Sequence, residues 1–257
     1  MHKTTHGWLS RAVLLIAALV SLGLFAWPLL ISDSAATSAP SVQGIFLAVA
    51  VALLAVIFVE LGSGRINATQ LSMLALLVAA NSVVRLMGAG ISGVETVFFL
   101  IIIGASVFGP GFGYLLGSGS LLVSALVGAG IGPWLPFQML AAGMVGLGAG
   151  LLPRAWGKVA QTVILAAYAV PAAYLYGALM TMWNWPFLAG SDSTISYRAG
   201  APLAENLTRF VHYEMLTGGL VWDTGRAITT CVLLAVTAPA LTATLSRAAA
   251  RAGAKRF

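Results

Sequence analysis

Apolar residues run through this chain in long blocks, broken by short polar punctuation. Residues 96–153 contain no Asp, Glu, Lys or Arg, and 12–32, 44–59, 159–191 and 227–246 are likewise uncharged. One helical crossing of a bilayer needs ~20 apolar residues, so 96–153 is long enough to cross more than once. The blocks lack the alternating pattern of a membrane β-barrel, and the other structure that satisfies its backbone within lipid is the helix. The pattern predicts an all-α, polytopic membrane bundle of about eight spans, near 11–31, 45–62, 69–87, 94–107, 111–128, 136–152, 159–182 and 220–246. The shorter ones suit spans that tilt little or sit in thinned bilayer.

Composition agrees with this reading. The 257 residues are 60% hydrophobic and 8% charged, with a mean hydropathy of +0.97; soluble domains carry roughly 25% charged residues. A net charge of +6 and a pI near 9.9 raise nucleic acid as a partner. The cations instead sit at helix ends and at the C-terminus, with no basic face to follow a phosphate backbone. Cys231 is alone in an apolar segment, so a disulfide framework and a thiolate metal cluster are excluded.

Lys and Arg in short loops set orientation. With the N-terminus inside, Lys3, Arg11, Arg65, Arg154, Lys158, Arg247, Arg251, Lys255 and Arg256 are cytoplasmic, nine of the 13 cations. Arg198 and Arg209 fall in the long outer connection, Arg85 and Arg226 near outer helix ends, and Asp33, Asp192, Glu205 and Glu214 also outside. Both termini are then cytoplasmic, in a multi-pass plasma-membrane protein. Trp8 and Trp156 mark the inner interface, and Trp27, Trp134, Trp183, Trp185 and Trp222 the outer one, either as an aromatic belt or, for some of the outer five, as stacking surfaces for a ligand. The apolar stretch after Lys3 and Arg11 is longer than a signal-peptide core and reads as a retained helix. The tail 247–256 reads as an anchor on anionic lipid.

The segment 32–43 is a polar outer loop. The connection 184–219 contains Trp185, Phe187, Tyr197, Phe210, His212 and Tyr213, too aromatic for a solvated linker, and is expected to fold over an outer cavity.

Charges inside spans are costly and mark function or a structural pair. Arg85 closes the third span and Glu95 opens the fourth, within reach of an ion pair across the turn 88–93. Asn81 lies one turn below Arg85 on the same face. Gln138 follows Trp134 into the sixth span, Tyr168, Tyr174 and Tyr176 lie along the seventh, and Asp223 and Arg226 stand at i, i+3 near the top of the eighth. All but Tyr168 fall in the outer half, where they either line a polar, aromatic-rimmed pocket open to the outside or only pair and bridge helices. The candidate substrate-binding residues are Asn81, Arg85, Glu95, Trp134, Gln138, Tyr174, Trp183, Trp222, Asp223 and Arg226. Glu60, near the inner end of the second span, reads as interfacial.

The histidines, at positions 2, 6 and 212, lie outside the spans, so Ser118 and Ser120 have no histidine base at membrane depth. No Gly-rich phosphate loop with its Lys is present. The chain is read as no enzyme, with no cofactor and no metal site.

Thirteen glycines fall within 96–153. Gly109, Gly113 and Gly117 recur every four residues, as do Gly146 and Gly150, which bares backbone on one helix face and lets helices approach closely. Phe108-Gly109-Pro110-Gly111 predicts a tight inner turn, and 128–133 (GAGIGP) the matching outer one.

The run 104–154, with its FGPGFG inner turn, glycine-faced helix and GPWLPFQ entry into the next helix, resembles the substrate-binding S components of energy-coupling-factor vitamin transporters. The resemblance implies six core helices, mapped to 69–87, 94–107, 111–128, 136–152, 159–182 and 220–246, and covers about 70% of the chain. It divides the chain into an extra N-terminal helix pair, 1–66, and an S-component-like core, 67–257, with the outer loop 184–219. It also implies binding of a vitamin or related micronutrient, most like the cobalamin-type group, and docking on a transmembrane coupling subunit with two ATPases. The family docks through small residues on its first core helix; Ala75 and Ala79 match that pattern here, and internal packing is the other use for them. The alternatives are an autonomous secondary transporter, disfavoured by the uncharged centre of the core, and a structural membrane subunit that binds no ligand.

Overall fold

The computed structural model describes residues 19, 22–30, 39–62, 66–88, 93–154, 157–188 and 194–251. Most of the first predicted span, together with Asp33, Arg65, Trp156, Asp192 and the tail beyond Arg251, lies outside the described residues. Among the described residues regular structure is wholly helical.

The helices in chain order are α1 (Trp27–Leu30), α2 (Ala39–Gly62), α3 (Ala68–Gly88), α4 (Phe98–Phe108), α5 (Pro110–Ser124), α6 (Leu135–Gly150), α7 (Lys158–Met182), α8 (Trp185–Leu188), α9 (Leu203–Leu216) and α10 (Gly219–Arg251). Their limits follow from local chemistry. Asn67 and Gln70 cap α3 reciprocally: Asn67 Oδ1 accepts the Gln70 backbone N–H at 2.8 Å, and Gln70 Oε1 accepts the Asn67 backbone N–H at 3.0 Å. Gly109, at φ 99°, ends α4, and Pro110 opens α5 with the φ it already prefers. The last turn of α5 widens into a π turn, Ala125–Ala129, which stops at Gly130.

Helices α3, α5, α6, α7 and α10 pack around α4, whose eleven residues are all buried except Ser106. At 1.5 Å per residue α4 is only about 17 Å long, short of the ~30 Å hydrocarbon core. Among the described residues four helices are long and apolar enough to cross a membrane: α3, α5 with its π turn, α7 and α10. The segment Leu47–Gly62 of α2, α4 and α6 are shorter apolar helices. Seven of the eight predicted segments are thus helical, but hydropathy does not separate a lipid-facing helix from one buried by its neighbours.

The glycine spacing is used inside the molecule. A Cβ at Gly113 would strike the Gly146 backbone, one at Gly117 the Ala142 backbone, and one at Gly150 the Pro110 backbone. The faces of α5 and α6 therefore touch main chain to main chain. Helix α2 packs on α5 and α6 through Val49, Leu53 and Val56. Glu60, near the inner end of α2, is 1% exposed, and its carboxylate fills the space beside Gly111, which a Cβ there would occupy. The turn was readable in sequence; the gap it leaves between two helices was not.

The connection after α7 is folded on its own aromatic residues. Trp185 is fully buried, its indole N–H donates to the Ile195 carbonyl at 2.9 Å, and Tyr197 and Phe210 meet its ring edge-on at 5.6 and 5.4 Å. Arg198 and Arg209 both pair with Glu205, and Asn206 exchanges two hydrogen bonds with the Arg198 backbone. Helix α9 rests on α1, α7 and α10 through Asn206, Phe210 and Glu214. Its opposite face exposes Leu203, Leu207, Val211 and Met215 at intervals of four, the stripe that a helix lying along a bilayer surface presents.

Candidate functional site

Helix alternation gathers the C-terminal ends of α3, α5 and α7 with the N-terminal ends of α4, α6 and α10. The polar side chains of the core collect at this end in two adjoining groups.

The first lies between α3, α5 and α6. Arg85 donates through Nη1 to Ser124 Oγ at 2.9 Å and through Nη2 to Gln138 Oε1 at 3.5 Å. One turn deeper, Asn81 donates to Ser120 Oγ at 3.0 Å, and Ser82 donates to the Ser120 carbonyl at 3.1 Å. Asn81 is fully buried, and its Oδ1 has no hydrogen-bond partner among the described residues. Trp134 precedes α6 with its ring folded over Gly132, 43% exposed at the rim.

The second lies between α4, α7 and α10. Asp223 and Arg226 form a buried ion pair one turn apart on α10. Gly177 of α7 faces Asp223, and any Cβ there would overlap the carboxylate. The Arg226 guanidinium donates to the Ala173 carbonyl at 3.3 Å and lies 5.0 Å from the Tyr176 ring centre and 6.0 Å from that of Phe98. Such placement over aromatic faces stabilises a partly desolvated cation. Arg226 Nε is buried and lacks a partner among the described residues.

Tyr176 joins the two groups. Its phenol lies within electrostatic reach of Glu95, Arg226 and Arg85. The turn before Glu95 is drawn against α10 where Gly93, at φ 73°, meets Gly225 without a side chain between them. The pair suggested for Arg85 and Glu95 is not formed: neither takes part in the three ion pairs among the described residues, and Arg85 turns instead toward Ser124 and Gln138. Beside this group, Glu214 of α9 is 6% exposed with Oε1 unpartnered among the described residues. Burial raises its pKa above the ordinary carboxylate value, the Thr181 hydrogen bond opposes this, and the charge of Asp223 adds to the rise.

Seven of the ten predicted residues thus stand around these two groups: Asn81, Arg85, Glu95, Trp134, Gln138, Asp223 and Arg226. The other three make their contacts outside these two groups or at the surface. Trp183 is buried in a stack on Phe137, with centroids 4.1 Å apart, and its carbonyl accepts the Trp27 indole N–H. Tyr174 hydrogen-bonds Thr224 at 2.7 Å on the exposed side of α7, and Trp222 is 51% exposed. Tyr176, Phe98, Ser124 and Glu214 belong to the site and were not among the candidates. Tyr176 was legible as one of the outer-half tyrosines and Glu214 as an outer charge; for Phe98 and Ser124 the sequence carries no signal beyond their place near the same helix ends. Ala75 and Ala79 are both exposed.

No three His, Cys, Asp or Glu side chains gather to hold a metal among the described residues. No protein-family model, curated protein or solved structure matches the chain.

Proposed function

We propose that this chain is the substrate-binding membrane subunit of an energy-coupling-factor type importer. It takes a vitamin or related micronutrient, a cobalamin-like compound favoured, at the Arg85 end of the bundle, and docks on a separate coupling subunit and two ATPases. The observation that carries this reading is polar capacity left open at one end of an apolar bundle. Among the described residues Asn81 Oδ1, Arg226 Nε and Glu214 Oε1 are buried there without partners, and the Glu95 carboxylate joins no ion pair. Buried polar atoms in folded proteins nearly always have partners, and leaving one unmade costs ~1–3 kcal/mol.

The division of labour follows from the chemistry. Arg85 and Arg226 supply fixed donors to carbonyl, carboxylate or phosphate oxygens. Asn81 Oδ1 and Glu95 accept from ligand N–H or O–H groups. Tyr176, Phe98 and Trp134 offer ring faces and edges, and the 184–219 segment folds over the top. On α3, Ala75 and Ala79 sit beside exposed Leu71, Leu76 and Val83, a face of small and apolar residues that admits a partner helix at close range. Both termini in the cytoplasm would put the Arg85 end outside, where a scarce nutrient is met.

The test is thermal stabilisation of the purified chain in detergent against a panel of vitamins and tetrapyrroles, with no ATPase present. A ligand at about 100 times its Kd stabilises by about 2.7 kcal/mol. One compound should raise the melting temperature, and Arg226→Gln should abolish the rise. If the folded chain gains nothing from any compound, the reading fails and the buried groups serve only to bridge helices.

A further inference from the structure

The opposite end of the bundle holds a cavity that the proposed substrate does not use. It has a volume of about 300 Å³ and lies between the end of α4, the turn into α7 and the second half of α10. Arg154 and Lys158 line it, and none of its lining residues is acidic. Arg154 is held at its rim by donating through Nη2 to the Val107 carbonyl at 3.0 Å, which leaves the rest of the guanidinium for another acceptor. Helix α7 begins at Lys158 after Gly157 (φ 98°), an N-cap residue that has no side chain to cap the helix. Across the cavity, Thr242 Oγ1 of α10 is buried and unpartnered among the described residues, and Ser246 stands one turn beyond it. Ala238, Pro239 and Ala243 make the facing wall apolar.

Two cations, a helix N-terminus opened by glycine and a hydroxyl unpartnered among the described residues converge on one space with an apolar wall. Guanidinium and ammonium groups bind phosphate oxygens with charge-assisted hydrogen bonds, and the N-terminus of a long helix adds backbone donors and a favourable dipole. We propose that this cavity binds a phosphate-bearing anion, either the headgroup of an anionic membrane lipid or a soluble phosphate. Occupancy ties the start of α7 to the end of α10. The site stands independently of the substrate reading, since it shares no residue with the Arg85 end.

The experiment uses the full chain in neutral detergent. Phosphatidylglycerol, phosphatidylcholine and inorganic phosphate are added separately, with retained adducts counted by native mass spectrometry and thermal stability followed in parallel. Phosphatidylglycerol should be retained over phosphatidylcholine. Lys158→Gln, and more so the double variant R154Q/K158Q, should cut retention about five-fold or more, as expected for losing charge-assisted contacts. The control R247Q/R251Q removes two cations of the same end outside the cavity and should leave retention within about two-fold. Because Arg154 also bonds Val107, Lys158→Gln and Thr242→Val each test the site with that bond intact. Stabilisation by inorganic phosphate that Lys158→Gln abolishes would identify a soluble anion as the occupant and support the site. The proposal is overturned if neither probe binds the folded chain, or if R247Q/R251Q loses lipid as fully as R154Q/K158Q.

Discussion

Gly177 shows how far a single missing side chain reaches in this molecule. It makes room on α7 for the Asp223 carboxylate, and Asp223 in turn holds Arg226 over Tyr176 and Phe98. Gly177→Ala forces that carboxylate aside and is expected to cost ~1–3 kcal/mol of stability, as overpacking does. Asp223→Ala should cost more, ~3–5 kcal/mol, because it leaves a buried guanidinium without its counter-charge. The double variant D223L/R226M should recover most of that loss; melting in detergent measures all three. The i, i+3 spacing of Asp223 and Arg226 was legible in sequence. The role of Gly177 was not, because it depends on the register of α7 against α10. For the same reason Arg85 could be placed at a helix end by hydropathy, while its turn toward Ser124 rather than Glu95 could not.

At the scale of elements, two features decide the packing. The first is the α5–α6 contact, where Gly146 meets Gly113 backbone to backbone. Gly146→Leu should unfold the protein or lower its melting point sharply, whereas Gly157→Ala, at an uncrowded turn, should cost only the strain of its positive φ, ~1–2 kcal/mol. Glycine spacing announced that contact, since periodicity survives in sequence. The second is α9, seated through the buried Glu214. Its raised pKa means the folded state favours the neutral acid. The sign follows: this stabilisation is fully present below the ordinary Glu pKa and is lost as pH rises through the raised value. Melting temperature compared between wild type and Glu214→Gln should show the wild type falling relative to the variant as pH rises above the ordinary Glu range. The aromatic content of 184–219 revealed that this connection folds. Its helix and the burial of Glu214 depend on packing against α7 and α10, which local pattern does not encode.

At the scale of the whole molecule, polarity is divided between the two ends of an apolar bundle, with an outward face of small residues along α3. Leucine at both Ala75 and Ala79 fills no internal space, so A75L/A79L should leave stability within about 0.5 kcal/mol, as exposed substitutions do. On the proposed function it should also leave substrate binding intact and abolish uptake in cells, which a transport assay beside a binding assay would separate. The helical bundle was legible from uncharged blocks alone. Which helices face lipid was not, because α4 is as apolar as any span and is enclosed by its neighbours. The central claim is that the groups around Tyr176 bind a small molecule without any partner protein, and equilibrium titration of the purified chain tests it most directly. One compound of the vitamin panel should bind with one-to-one stoichiometry, and Glu95→Gln and Asn81→Leu should each weaken it about tenfold, the size expected when a ligand loses one buried hydrogen bond. Folded protein that binds none of the compounds, or a bound compound indifferent to both substitutions, would contradict the account.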